Sequence, residues 1–197
     1  GGYMKPDFDR AQNEATKLLL AQEIDSLYID ARNFVLPENI IIDSMQNFCA
    51  LSDCPFEKLG HSSINGAMLI RQDPHQIILY DDSIDNEPRK HWGIIHELGH
   101  AVLKHPCDSS PHEIEAHFFA AQLVAPEIVL IEILRRQGKI TVSDLYHNFN
   151  VSYEAAEKRI HTLINRSCYN EDEIDKQLLE KFMPIIDREI PYRRVCS

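Results

Sequence analysis

Trp92-Gly93-Ile94-Ile95-His96-Glu97-Leu98-Gly99-His100-Ala101-Val102 is the stretch on which the reading of this chain turns. Trp92, Ile95, Leu98 and Val102 recur with helical spacing, and Pro88 suits the first turn of the helix they define. Pro106 disfavours a helical residue before it, so the spacing predicts a stop around His105. On such a helix His96 and His100 lie one above the other and present two imidazoles to a single point. Neutral imidazole is a good zinc ligand, with Zn–N distances of about 2.0–2.1 Å. Glu97 lies roughly 100° round the helix, where its carboxylate misses the metal and reaches a water bound to it, as a general base must. An exposed histidine pair, or a zinc site that only stabilises the fold, would show the same HExxH spacing. Six of the ten histidines fall between His91 and His117, and this clustering favours a catalytic zinc site.

A hydrolytic zinc centre takes three protein ligands and keeps one position open. The extended metzincin pattern would need a histidine ten residues after His96, but that position is Pro106 and His105 falls one short. The better source is Ser110-Pro111-His112-Glu113-Ile114-Glu115-Ala116-His117-Phe118-Phe119-Ala120-Ala121-Gln122-Leu123-Val124-Ala125-Pro126. Ser110 reads as an N-cap, Pro111 fits the first turn, and Phe119, Leu123 and Ala116 make an apolar face. A glutamate on this second helix completes a His/His/Glu set, which suits zinc more than magnesium or calcium. The residues leave two choices. Glu113 also has the spacing of a capping box with Ser110, and Glu115 also fits a first-turn acid favoured by the helix dipole. Glu113 and His117 are four apart and share a face, which places His117 to act behind the ligands.

Together these two motifs resemble the ImmA/IrrE family of zinc metallopeptidases. The family shows a strand, a charged turn, a helix carrying HELGH, and a second helix similar to E-x-x-A-N-x-F-A-x-x-L-L-x-P. Here the first part is Gln76-Ile77-Ile78-Leu79-Tyr80, a polar turn, then Trp92 to His100; the second is Glu113, Ala116, Phe119, Ala120, Leu123 and Pro126. The match runs from about Ile64 to Pro126 and more loosely to about Asn165. The resemblance implies zinc as the cofactor, His96, His100 and Glu113 as its ligands, and Glu97 as the catalytic residue. His117 departs from the pattern, where Asn or Asp is usual. The resemblance also implies a cytoplasmic protease that cleaves a helix-turn-helix transcriptional repressor.

Length and composition set the bounds. The chain has 197 residues, 44% hydrophobic and 26% charged, enough for a proper core. A net charge of −11 argues against a surface built to grip phosphate backbones, so direct nucleic-acid binding is disfavoured. No apolar run approaches the ~20 residues of a membrane span, and the N-terminal residues do not read as a signal peptide. Five cysteines without framework spacing fit free thiols in a reducing, cytoplasmic compartment.

Along the rest of the chain, amphipathic helices are predicted over Asp9–Ile24 and Pro37–Leu51. A hairpin is predicted over Ala67–Arg71 and Gln76–Tyr80, its edge available to an extended substrate by β-augmentation. His61 reads as a solvated loop residue. After Pro126 a helix should run from Glu127 to Gln137 and stop at Gly138. Thr141 should cap a short helix with Asp144 at capping-box spacing, and Tyr153 to about Asn165 should form the next. These have helix-turn-helix proportions, but Lys158, Arg159 and Arg166 are offset by Glu154 and Glu157, which favours a packing or partner-binding subdomain. A last helix is expected near Glu171–Phe182, stopped by Pro184. The expected fold is therefore α+β: a zincin-like helical core with a small antiparallel sheet over 4–126, then a helical, helix-turn-helix-like subdomain over 127–197. The leading functional expectation is a zinc endopeptidase acting on a regulatory protein, with Tyr80, His61 and His112 as candidates to stabilise the oxyanion. The alternatives are a DNA-binding or protein-binding regulator with a structural or vestigial zinc site, and a small-molecule zinc hydrolase.

Overall fold

The computed structural model describes residues 5–53, 55, 59, 66–165 and 172–190, so His61, Cys54 and Arg166 lie outside it. The fold is α+β and mostly helical, with eight α-helices and a three-stranded sheet among the described residues. The chain divides into two compact units, residues 1–14 with 30–120 and residues 15–29 with 121–197. Among the described residues no single helix is long and apolar enough to cross a membrane.

The first unit is built on strands β1 (Ile40–Ser44), β2 (Ala67–Gln72) and β3 (His75–Tyr80), in the order β1-β3-β2. The expected hairpin is present: β2 and β3 pair antiparallel, from Ala67 opposite Tyr80 to Gln72 opposite His75. The sheet is not purely antiparallel as expected, because β1 pairs parallel to β3. That strand occupies residues assigned from the sequence to a helix over Pro37–Leu51. Ile40-Ile41-Ile42 are β-branched, stiff at χ1 and suited to a pleated surface, and their apparent helical phase with Met45 and Phe48 is coincidental. Helix begins only at α2 (Met45–Ser52), where the Ser44 hydroxyl accepts the Asn47 N–H at 3.0 Å.

Helix α3 (Glu87–Val102) packs on β2 and β3 and carries the HExxH run. Asn86 caps it by accepting the Arg89 N–H at 3.0 Å, and Pro88 stands in its first turn. It ends three residues before the expected stop at His105. Lys104 takes a left-handed φ of 53° and donates its N–H to Ala101, while the His105 N–H reaches back to the His100 carbonyl at 3.0 Å. These two bonds make a Schellman ending. His91, near the start of α3, acts as a structural anchor, because its Nε2 accepts the buried Ala31 N–H at 3.1 Å, where Ala31–Asn33 form a short 3-10 turn. Helix α1 (Phe8–Leu20) begins in this unit, with Asp7 accepting the Arg10 N–H at 2.9 Å, and α4 (Ser110–Val124) ends it.

The second unit holds α5 (Glu127–Gln137), α6 (Val142–Phe149), α7 (Tyr153–Asn165) and α8 (Glu173–Glu189), with α6 packed on α7 and α5 on α8. Gly138 ends α5 at a φ of 71°, and the Thr141–Asp144 capping box starts α6, both as the sequence predicts. Helix α8 does not stop at Pro184; it runs through it to Glu189. Phe182, Ile185 and Ile186 are buried on either side of the proline, and this packing outweighs the one backbone bond the ring removes. Arg159 is buried and donates to the Ala125 carbonyl and to Gln122, and Lys158 is paired with Glu154 at 2.7 Å.

The His91 contact carries a pH signature. Burial pushes this imidazole down to about 4, so the folded chain holds it neutral while the unfolded chain protonates it near 6.5. The unfolded state thus binds more protons between those values, and stability falls as pH drops through that window, by about 3 kcal/mol from this residue at most. His91→Gln, whose carbonyl can accept the same N–H, is expected to flatten that part of the stability curve in denaturant melts from pH 7 to 4. An unchanged acid slope in the variant would remove His91 from this account.

Candidate metal centre

Two helices supply the cluster. His96 and His100 stand one turn apart on α3, and Glu113 comes from the first turn of α4. The helices can approach closely because residue 99 is glycine. A Cβ there would lie 3.2 Å from both the Cα and the carbonyl oxygen of Ala116, and 3.1 Å from the Phe119 ring. The Nε2 atoms of His96 and His100 are 3.2 Å apart. Glu113 sets Oε2 at 3.3 Å from His96 Nε2 and Oε1 at 3.3 Å from His100 Nε2.

The contacts to Glu113 run to its two different oxygens, and the spacing of each imidazole from its nearest carboxylate oxygen and from the other imidazole is the test of fit. Three corners of a tetrahedron around zinc at about 2.0–2.1 Å lie about 3.3–3.4 Å from one another. The donor chemistry agrees, since two imidazole nitrogens and one carboxylate suit zinc and leave a fourth direction open. Both histidines are held in the neutral, ligating form: burial pushes His96 down to about 3 and His100 down to about 4. The contacts to Glu113 are therefore not charge pairs. Burial also raises Glu113 from its ordinary value, with the Asp108 charge adding to it. His96 Nδ1 is buried with no hydrogen-bond partner among the described residues.

Glu97 follows His96 on α3 and is 9% exposed. Burial, then the negative charges of Asp108 and Glu113, push its carboxyl up to about 7, with the Arg71 guanidinium opposing them. A carboxylate so placed exchanges a proton readily near neutral pH.

The remaining predicted residues separate. Glu115 does not stand with His96 and His100; it is buried against His105, with Oε2 at 3.0 Å from Nε2. His117 is exposed, its ring centroid 4.4 Å from His96 and 6.1 Å from the Trp92 ring, and its nitrogen falls within 4.8 Å of donor atoms of His96 and Glu113. His112 is engaged at the start of α4, donating from Nδ1 to the Cys107 carbonyl at 2.8 Å. Tyr80 ends β3, half-buried, its hydroxyl held above its ordinary value by burial. Sequence reasoning missed Arg71 and Asp108. Arg71 on β2 donates to the His105 carbonyl at 3.1 Å and to Asp108 at 2.6 Å, and Asp108 in turn lies 3.9 Å from His100 Nδ1. No periodicity signals such a contact, because its partners come from different elements.

Two imidazoles one helical turn apart, a facing glutamate and an adjacent raised carboxylate fit a metallopeptidase type of protein. The family comparison says the same: the profile described as IrrE N-terminal-like domain, Peptidase M78, matches residues 56–161, more than half of the chain. The chain belongs to this ImmA/IrrE family. No curated protein and no solved structure matches it.

Gly99 offers the sharpest test of how the cluster is built. Alanine would gain about 1 kcal/mol of helix propensity. The added methyl, however, meets backbone atoms of α4 that cannot rotate away, and overpacking of that kind costs about 1–3 kcal/mol. Gly99→Ala is expected to lower the denaturant midpoint and, by moving α4 off α3, to weaken metal binding at least tenfold. A variant as stable and as tight as wild type would show that the contact relaxes freely.

Proposed function

We propose that this chain is a zinc-dependent endopeptidase acting inside the cell, with His96, His100 and Glu113 holding the metal and Glu97 as general base. The observation that carries the reading is that the Nε2 atoms of His96 and His100 lie 3.2 Å apart, each 3.3 Å from one oxygen of Glu113 on the facing helix. Beside it Glu97 has a carboxyl near 7. Such a pair of helices fits a zincin-like core. When bound, zinc supplies Lewis acidity toward a water and a peptide carbonyl. Glu97 takes the proton of the attacking water as the new C–O bond forms, and delivers it to the amine nitrogen as the C–N bond breaks. His117, next to His96 and Glu113, orients those two side chains.

The edge of the sheet bears on the substrate. Strand β2 stands at an edge of the described sheet, and its Arg71 reaches Asp108 beside His100. An extended segment added to that edge would pass the cluster, which favours a flexible linker in a protein target. Family membership supports a helix-turn-helix repressor as that target, cut between its DNA-binding and oligomerising parts so that avidity for DNA is lost. A role for this chain itself on DNA is disfavoured by its net charge of −11 and by the inward-turned Arg159 and paired Lys158 of α7.

The test uses the zinc-loaded chain and a helix-turn-helix repressor from the same cell, chosen by an adjacent gene. One dominant cut in the repressor is expected, with little action on casein. Glu97→Gln should retain zinc and slow that cut by at least ~10²-fold, since an amide cannot accept the proton. His96→Ala and Glu113→Gln should instead lose most of the metal. Bound zinc with an uncut repressor, together with sequence-specific DNA binding, would favour a regulator with a vestigial site.

A further inference from the structure

Two buried ionisable side chains close to the cluster have no part in the chemistry above. His105, just past the end of α3, places Nδ1 3.0 Å from Nδ1 of His100, the nitrogen on the far side of that ring from Glu113. Its Nε2 lies 3.0 Å from Glu115 Oε2. All three side chains are nearly sealed from solvent, at 1%, 3% and 4% exposure for His100, His105 and Glu115. The outer end is anchored: Glu115 Oε1 accepts the Asp7 N–H at 2.9 Å. The middle is fixed by the Schellman ending that swings His105 back over His100. It is fixed also by a ring stack on His112, 4.3 Å between centroids, and by the Arg71 bond to its carbonyl.

We propose that His105 and Glu115 are positioning residues of the metal centre, joined to His100 in a carboxylate–imidazole–imidazole relay that fixes His100 in its metal-binding tautomer. The inference rests on the metal-centre reading given above. Each proton follows from the one before. An ionised carboxylate only accepts, so His105 must donate from Nε2. A neutral His105 then has a bare Nδ1, which accepts from His100 Nδ1–H. His100 is left with a bare Nε2, and that atom faces His96 and Glu113. The reverse direction would set the bare Nε2 of His105 against an anionic oxygen 3.0 Å away, in a site with no solvent to separate them. The relay also puts a full negative charge behind a neutral ligand, which raises the basicity of its free nitrogen.

Nitrogen–proton correlation spectra of the ¹⁵N-labelled full chain read these tautomers directly, with and without zinc. The expected result is a proton on His100 Nδ1 and on His105 Nε2, both slow to exchange, with His105 Nδ1 bare. Zinc affinity by chelator competition is the second readout. His105→Phe, which keeps the ring stack, and Glu115→Gln are each expected to weaken zinc by about 10–100-fold. Each should also let His100 populate the Nε2–H form in the metal-free chain, a change that mere packing would not produce. Should His105→Phe fail to fold, Glu115→Gln and the wild-type spectra still decide. A proton on His105 Nδ1 in the wild type, or wild-type zinc affinity in the folded variants, overturns the relay. Because the tautomers are visible without metal, an intact relay in a chain that binds no zinc would overturn the metal-centre reading instead.

Discussion

The close approach of α3 and α4 at Gly99 is the constraint on which the candidate site depends. Two imidazoles one turn apart can arise on any exposed helix, but a carboxylate that sets one oxygen 3.3 Å from each of them comes only from a second helix packed alongside. A glycine at 99 favours that approach, since the Ala116 Cα lies 3.2 Å from where a Cβ would sit, closer than such contacts ordinarily are. The glycine inside the HExxH run is thus a packing residue for the helix opposite. Ala116 and Phe119, both buried, are the α4 residues that meet α3 at this point.

Burial then sets the electrostatics. The buried side of α3 excludes water, and four ionisable groups on it move toward their neutral forms: His91, His96 and His100 downward, Glu97 upward. The consequences differ by partner. His91 is satisfied by a backbone N–H and serves as an anchor. His96 and His100 set their Nε2 atoms toward each other and toward a carboxylate, the donor set that the proposed metal would use. Glu97 has no such partner, and its carboxyl stands where proton transfer near neutral pH is easiest. One largely buried surface therefore carries a structural histidine beside the pair and the carboxylate proposed as ligands and base.

Two arginines of the second unit are committed to its interior. Arg159 turns into the core to satisfy the Ala125 carbonyl, and Arg136 pairs with Glu132 at 2.7 Å. Cations committed in this way stabilise helix ends and are not available to phosphate oxygens.

Periodicity and local spacing are encoded along the chain, so sequence alone determined the HExxH helix, the helix from Ser110, the β2–β3 hairpin, the Thr141 capping box and the Gly138 stop. Features that depend on what packs against what were decided by the tertiary structure. Strand β1 formed because a free slot beside β3 suited three isoleucines, and α8 ran through Pro184 because a core lay on both sides of it. Glu113 and Glu115, two residues apart, face directions about 200° apart on their helix. Sequence could show that one of them could reach the imidazoles, but only the seating of α4 on α3 put Glu113 at His96 and His100 and turned Glu115 toward His105.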